Sequence, residues 1–285
     1  MTPLFNLIEK TEDGIVIREM SINSWKIQTV KGRIFDSREL LAASAKLPKS
    51  IPFPDMFFGY NSLTVQHNNG FKCSFSALGA LSHVGIESDL KVSMSSDWIN
   101  SRYYLFINIR TSEADHLKIV KPYDWTFTTR YSGDFEWDDL EDMVSVQDMN
   151  MDLLKRHDPI LFYESQSLYE DELGDNGCSE LSVRIRVMPE FFLILQRFFL
   201  RIDNVLFRIF DTRILHEWKN NYVMKEISHL EMPYDDALKI LRQERLCNQA
   251  EGEDLSHLSD SQYISSIMDK QKHEIFFSTQ KYNII

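Results

Sequence analysis

LYEDELGDNGCSELSVRIRVMPEFFLILQRFFLRIDNVLFRIFDTRILHE, residues 168–217, is the stretch on which the fold turns. Within it Leu181, Val183, Ile185 and Val187 alternate with Ser182, Arg184 and Arg186, the period of two that a pleated strand imposes. The two arginines therefore share one face, roughly 7 Å apart along the strand. Pro189 and Glu190 then open PEFFLILQRFFLRI, whose apolar positions 191, 192, 194, 195, 198, 199 and 202 follow helical spacing. The aromatic richness of this run keeps a strand as the alternative. Asp203–Asn204 reads as a turn, and Val205–Leu215 alternates again as a strand with Phe207, Ile209, Asp211 and Arg213 on one face.

Between Arg156 and Trp218 there is no lysine, yet Arg184, Arg186, Arg197, Arg201, Arg208 and Arg213 all fall there. Arginine offers a planar fork for carboxylate or phosphate and tolerates partial burial better than lysine. For any single arginine the simplest expectation is a structural ion pair with Asp171, Glu172, Asp175, Asp203 or Asp211. Burying many such pairs costs desolvation and returns little stability. One or two of the arginines are therefore expected to face a ligand's carboxylate or phosphate.

Outward from this block the chain is strand-rich with few helices. Strands are expected at Gly14–Ile17, Trp25–Val30, Phe71–Phe75, Leu90–Met94 and Ile160–Tyr163, over 121–133, and as two short pieces within 56–67. Ser37–Leu47 has helical spacing with Ser37 as cap, Met149–His157 is a short helix, and Asp235–Leu246 is a helix capped by Asp235. Residues 134–148 carry seven acidic groups and no Lys or Arg, and read as a solvated loop. No linker or repeat divides the chain. Residues 1–232 form one domain, and 233–285 a C-terminal helix and a polar, mobile tail.

A net charge of −12 argues against nucleic-acid and anionic-membrane partners. Three cysteines at no metal-ligand spacing point to a reducing compartment. The N-terminus lacks a signal peptide, and the apolar run 187–202 is too short and too charged to span a membrane, so a soluble, intracellular protein is expected. Glycine-rich phosphate loops, HExxH and GxSxG are absent. The acidic loop 170–180 fails the calcium register: with Gly177 in the glycine position, position twelve would be Val183. An Asx-type turn at Asp175–Gly177 is the simpler reading. His216 and Cys178 have no catalytic partner in sequence. A binding protein without cofactor or metal is favoured over an enzyme.

FPDMFFGYNSL (53–63), LKV (90–92) followed by Trp98, KPYDWTFTTRYSG (121–133) and above all the block 168–217 resemble the TOR signalling pathway regulator-like (TIPRL) proteins, called Tap-interacting proteins in fungi. The likeness extends over about residues 24–230. It implies a single α+β domain with largely antiparallel sheet and a cleft for a partner peptide. It further implies a non-catalytic regulator of TOR signalling that binds the catalytic subunit of type 2A-family serine/threonine phosphatases, including its C-terminal tail. The phosphatase chaperone of the TOR pathway is an implied further partner, and the cytoplasm, with the nucleus second, the implied location. Met149, Ile209 and Asp211 match family partner contacts. On this reading the tail lies between strands 181–188 and 205–215, its terminal carboxylate held by one or more of Arg184, Arg186, Arg201 and Arg213.

Three positions depart from the family pattern. Gly79 replaces an acidic residue, which puts one partner contact in doubt. Gly174 replaces a histidine, and Asp203–Asn204 replaces an Asp-Gly turn that Asn can satisfy because it tolerates positive φ. Two other functions are weighed against the regulator. One is a metal-dependent hydrolase using Asp171, Asp175 and His216. The other is a scaffold whose acidic loop 134–148 recruits basic partners.

Overall fold

In the computed structural model, residues 191–202 form a strand, which corrects the helical reading. Its even positions Phe192, Ile194, Phe198, Leu200 and Ile202 enter one core, and its odd positions Phe191 and Phe199 enter two others. A strand buried on both faces is apolar on both faces, so its pattern cannot be told from a helix by periodicity. Aromatic and β-branched content was the better guide here. The structure describes residues 4–47, 53–83, 131–136, 157–244, 256–271 and 274–284, with short pieces at 92–93, 120–121, 143–144, 149–150 and 152–153.

Two antiparallel sheets face each other. The first runs in the order β1 (Phe5–Glu12), β2 (Ile15–Ile22), β3 (Trp25–Lys31), β5 (Ser62–His67), β6 (Lys72–Ser76) and β9 (Asp134–Glu136). The second runs β10 (Met143–Val144), β16 (Glu274–Asn283), β15 (Tyr222–Pro233), β14 (Leu206–Glu217), β13 (Phe191–Ile202), β12 (Gly177–Val187), β11 (Phe162–Asp171) and β4 (Met56–Phe57). A two-stranded ribbon pairs β7 (Val92–Ser93) with β8 (Val120–Lys121). The described helices are α1 (Ser37–Ser44), α2 (Ala77–Ser82), α3 (Tyr234–Gln243) and α4 (Ser261–Gln271). The α+β, largely antiparallel class implied by the family resemblance holds.

Local chemistry sets several boundaries differently from expectation. Asp36, not Ser37, caps α1: its carboxylate accepts from the Arg38 and Glu39 amides while Glu39 returns the bond, a full capping box. Pro233 rather than Asp235 occupies the N-cap position of α3, leaving Asp235 and Asp236 in the first turn, where acids suit the dipole. The Asx-type bond before β12 comes from Asp171, whose Oδ1 accepts from the Leu173 amide at 2.7 Å. Asn204 sits at φ +61, the left-handed geometry its turn needs. Residues 134–136 and 143–144 of the acidic run are strands, the rest lying outside the described residues. Most of 90–94 and 121–133 also lies outside them, as do 151 and 154–156 of the helix expected over 149–157.

The largest correction concerns the C-terminal segment. β16 is no mobile tail: it hydrogen-bonds along β15 from Tyr222↔Asn283 to Leu230↔Glu274 and receives β10 on its other side. α4 buries Ile264, Ile267 and Met268 against the outer face of the second sheet. Residues 245–255 lie outside the described set.

Trp25 of the first sheet locks the two sheets together, meeting Phe71, Phe192, His67 and His216 at ring distances of 4.7–5.8 Å. His216 is buried, and its Nδ1–H donates to the Tyr222 carbonyl at 2.9 Å. Burial disfavours the imidazolium and lowers its pKa to about 4, with His67 adding repulsion while the Tyr222 carbonyl and Glu217 act the other way. The unfolded imidazole takes a proton near pH 6.5, so between about pH 6.5 and 4 the unfolded state binds more protons. The contribution of His216 is therefore full above pH 6.5 and is lost as pH falls. Denaturant titration at pH 7 and pH 5 should show the wild type losing about 2 kcal/mol more than His216→Asn.

Candidate functional site

The outer face of the second sheet carries Arg184, Arg186, Arg197, Arg201 and Arg213, and strand register sorts them into rows. One row runs Ser182, Arg197, Asp211, Ser228 and Phe277 across five strands. The next runs Arg184, Leu195, Arg213, Glu226 and Thr279, and a third runs Arg186, Leu193, Leu215, Met224 and Lys281. The shared face predicted for Ile209, Asp211 and Arg213 is therefore real.

Most of these arginines have structural partners. Asp211, fully buried, receives Nε and Nη2 of Arg197 at 2.8 and 2.6 Å and Nη2 of Arg213 at 2.9 Å. Arg213 also reaches Glu226 at 2.9 Å. Arg201 faces Asp203 at 2.9 Å, and Arg208 holds Glu231 at 2.5 Å. Burial works against the Arg197 charge, yet the Asp211 carboxylate outweighs it and the guanidinium's pKa is raised.

Arg184 and Arg186 differ. Neither forms an ion pair or hydrogen bond with any described residue, and Nε of Arg184 is buried without a partner. Both line an open trough of about 220 Å³ with Tyr163, Leu193, Leu195 and Gln262. Arg184 favours the charged form of Glu180, whose carboxyl is nevertheless pushed up by burial and by Glu170. Two half-buried guanidiniums without partners, set on adjacent apolar side chains, favour an anion that brings an apolar neighbour with it.

The three residues matched to family contacts sit around this trough, buried. Ile209 is fully enclosed with Phe199, Ile264, Ile267 and Met268, beneath α4. Asp211 lies under the start of α4, because its partner Arg197 donates from Nη1 to the Ser261 carbonyl at 2.9 Å and from Nη2 to Ser265 Oγ at 3.0 Å. Met149 packs with Met188, Phe191, Leu215 and Met224, against which Leu193 of the trough also rests. In this conformation none of the three presents surface to a partner. Of the four candidate carboxylate ligands, Arg184 and Arg186 are available, whereas Arg201 and Arg213 are engaged.

Sequence reasoning missed Gln262 and the role of α4. The signal is Ile264, Ile267 and Met268 at helical spacing in SQYISSIMDKQ. The hydrolase trio is not assembled. Asp171 pairs with Ser179, which pairs with Leu200, whereas His216 pairs with Phe192, eight residues along β13. Among the described residues no group of three metal-type side chains converges.

Comparison with known proteins places this architecture. The model of the TIP41-like family matches residues 56–238, well over half of the chain. The chain belongs to the TIP41-like family. It is 39% identical over 230 residues to the Saccharomyces cerevisiae protein named type 2A phosphatase activator TIP41, covering 77% of this chain and 64% of that one. The human TIP41-like protein is 39% identical over 220 residues, 75% of this chain and 76% of its own. The Schizosaccharomyces pombe type 2A phosphatase activator tip41 is 27% identical over 260 residues, 90% of this chain and 96% of its own. The family model thus takes in β11 to β15 and ends within α3, before α4 and β16.

At the departure Gly79, the structure supplies a carboxylate from elsewhere. A Cβ built on Gly79 would lie 2.7 Å from Asp134 Oδ2, which accepts a hydrogen bond from the Tyr131 hydroxyl at 2.9 Å. Asp134 therefore fills the space that a side chain at position 79 would need.

The two classes of arginine should separate in stability measurements. Asp211→Ala strands two guanidiniums, one of them buried, and should cost about 3–5 kcal/mol. Arg184→Gln, which breaks no contact, should cost less than about 1 kcal/mol. Equal costs by urea denaturation would contradict the assignment.

Proposed function

We propose that this chain is a non-catalytic regulator of type 2A-family serine/threonine phosphatases, and that it binds the catalytic subunit by its C-terminal tail. The observation that carries this reading is the pair Arg184 and Arg186, half-buried, unpaired among the described residues and open to a trough. A chain terminus has the chemistry they lack: a carboxylate for the forks, and side chains for Leu193 and Leu195. The names of the two fungal relatives as type 2A phosphatase activators supply the partner class. TOR-dependent signalling, a shared complex with the pathway's phosphatase chaperone, and a cytoplasmic and nuclear location complete the proposal.

Calorimetric titration with purified type 2A catalytic subunit, intact and lacking its C-terminal tail, tests it. Binding should weaken sharply on tail removal. Arg184→Gln or Arg186→Gln should cost roughly 2–5 kcal/mol of affinity while leaving the fold intact. Unchanged affinity in both variants would remove the carboxylate role, and binding indifferent to the tail would move the interface off the trough.

A further inference from the structure

The trough has a floor and a wall that belong to different parts of the chain, and one carboxylate joins them. Leu195 and Arg213 lie side by side in the floor row, and Gln262 at the start of α4 closes the trough beside Arg184 and Arg186. Asp211 lies one row away, fully buried, and binds two guanidiniums at once. Arg197 carries its grip to the Ser261 carbonyl and Ser265 Oγ of α4. Arg213 carries it to the floor, where Glu226 takes the other side of the fork.

We propose that Asp211 is a positioning residue that never touches the partner: through Arg197 it fixes α4 as the wall of the trough, and through Arg213 it fixes the floor. The segment from α4 onward is then a required part of the binding site. This rests on the trough being the tail site.

The charges around this relay match a fixed wall. Arg197 and Arg213 face Asp211 and Glu226, two charges of each sign, and Arg184 and Arg186 stand beside them without an ion pair to a described residue. Asp269 of α4 stands over the same network. Burial raises its carboxyl pKa, Arg213 and Arg197 oppose that rise, and Asp211 adds to it. A displaced α4 would leave the Arg197–Asp211 pair facing solvent along with Ile209, Phe199 and Leu230. The arrangement favours a helix that stays in place when the partner arrives.

The test uses the full chain and two synthetic peptides of the catalytic subunit's C-terminal residues, one with a free carboxylate and one amidated. Affinity for both is read by calorimetry, and hydrogen–deuterium exchange is followed over 261–271. The wild type should prefer the free carboxylate at least tenfold, and the α4 amides should stay protected or gain protection on binding. Ser265→Ala removes one bond of the grip, and Arg197→Lys removes the fork but keeps the charge. Both should speed α4 exchange several-fold and erode the carboxylate-to-amide preference. Ser265→Ala should do so with an unchanged unfolding midpoint. General destabilisation would lower both affinities together and leave their ratio intact.

Asp211→Asn should behave as Arg197→Lys does, and if it fails to fold the other two variants carry the test. α4 losing protection when the peptide binds would overturn the proposal, because the helix would then be a displaced lid. An intact preference in Ser265→Ala and Arg197→Lys would overturn it too. Arg184→Gln and Arg186→Gln separate the two levels. If they lose the preference while the relay variants keep it, the relay alone is wrong. If they also keep it, the trough is not the tail site.

Discussion

Strand β13 has no face to give to water. Its even side chains require a cover as large as a whole sheet, and the first sheet supplies it through Trp25, Leu63, Val65, Phe71 and Phe75. Its odd side chains require a second cover, and no single element provides one. Phe199 is closed by α3 and α4, whereas Phe191 is closed by Met149 and its neighbours. Leu193 and Leu195, between these two covers, line the open trough. The site is thus the seam left where two separate covers fail to meet over one doubly apolar strand.

That origin explains the character of the seam. A row at the boundary of two apolar clusters is too buried for ordinary solvation and too open for a dry core. Arginine suits such a row, because a long apolar stem can lie on its neighbours while the fork finds a partner. Where a cover stands directly above, the fork is closed by protein carboxylates, as at Arg197. Where the cover ends, at Arg184 and Arg186, it is left for something else. Open guanidiniums and sheet-stabilising ion pairs are then supplied by the same residue type in adjacent rows, distinguished only by what lies overhead.

Much of this was legible in the sequence. The alternation in 181–188 and 205–215 placed the arginines and Asp211 on their correct faces, because a period of two survives whatever packs above it. The choice among the arginines was not legible, since an ion pair depends on cross-strand register. Arg197 meets Asp211 fourteen residues away in sequence, and Arg208 meets Glu231. The helical misreading of 191–202 and the dismissal of 263–283 share a cause. Both segments are defined by what they pack against, and a local pattern cannot report a cover built from distant chain. Asp211 and Ile209 were singled out by family likeness, which could not say that a helix covers them.

The position of β16 also bears on how the protein is made. During synthesis the second sheet up to β15 can form as a run of antiparallel neighbours, each strand pairing with the one just completed. β16 follows only after α3, the intervening segment and α4, so the outer edge of β15 waits unpaired while they emerge. β10, made well before, pairs among the described residues with β16 alone. The nascent chain therefore holds an unpaired sheet edge at β15, and an uncovered Phe199–Ile209–Leu230 patch, until this segment arrives. The same late-arriving segment that walls the trough is the one that ends this exposure, so completion of the site and protection from edge-to-edge association arrive in a single step.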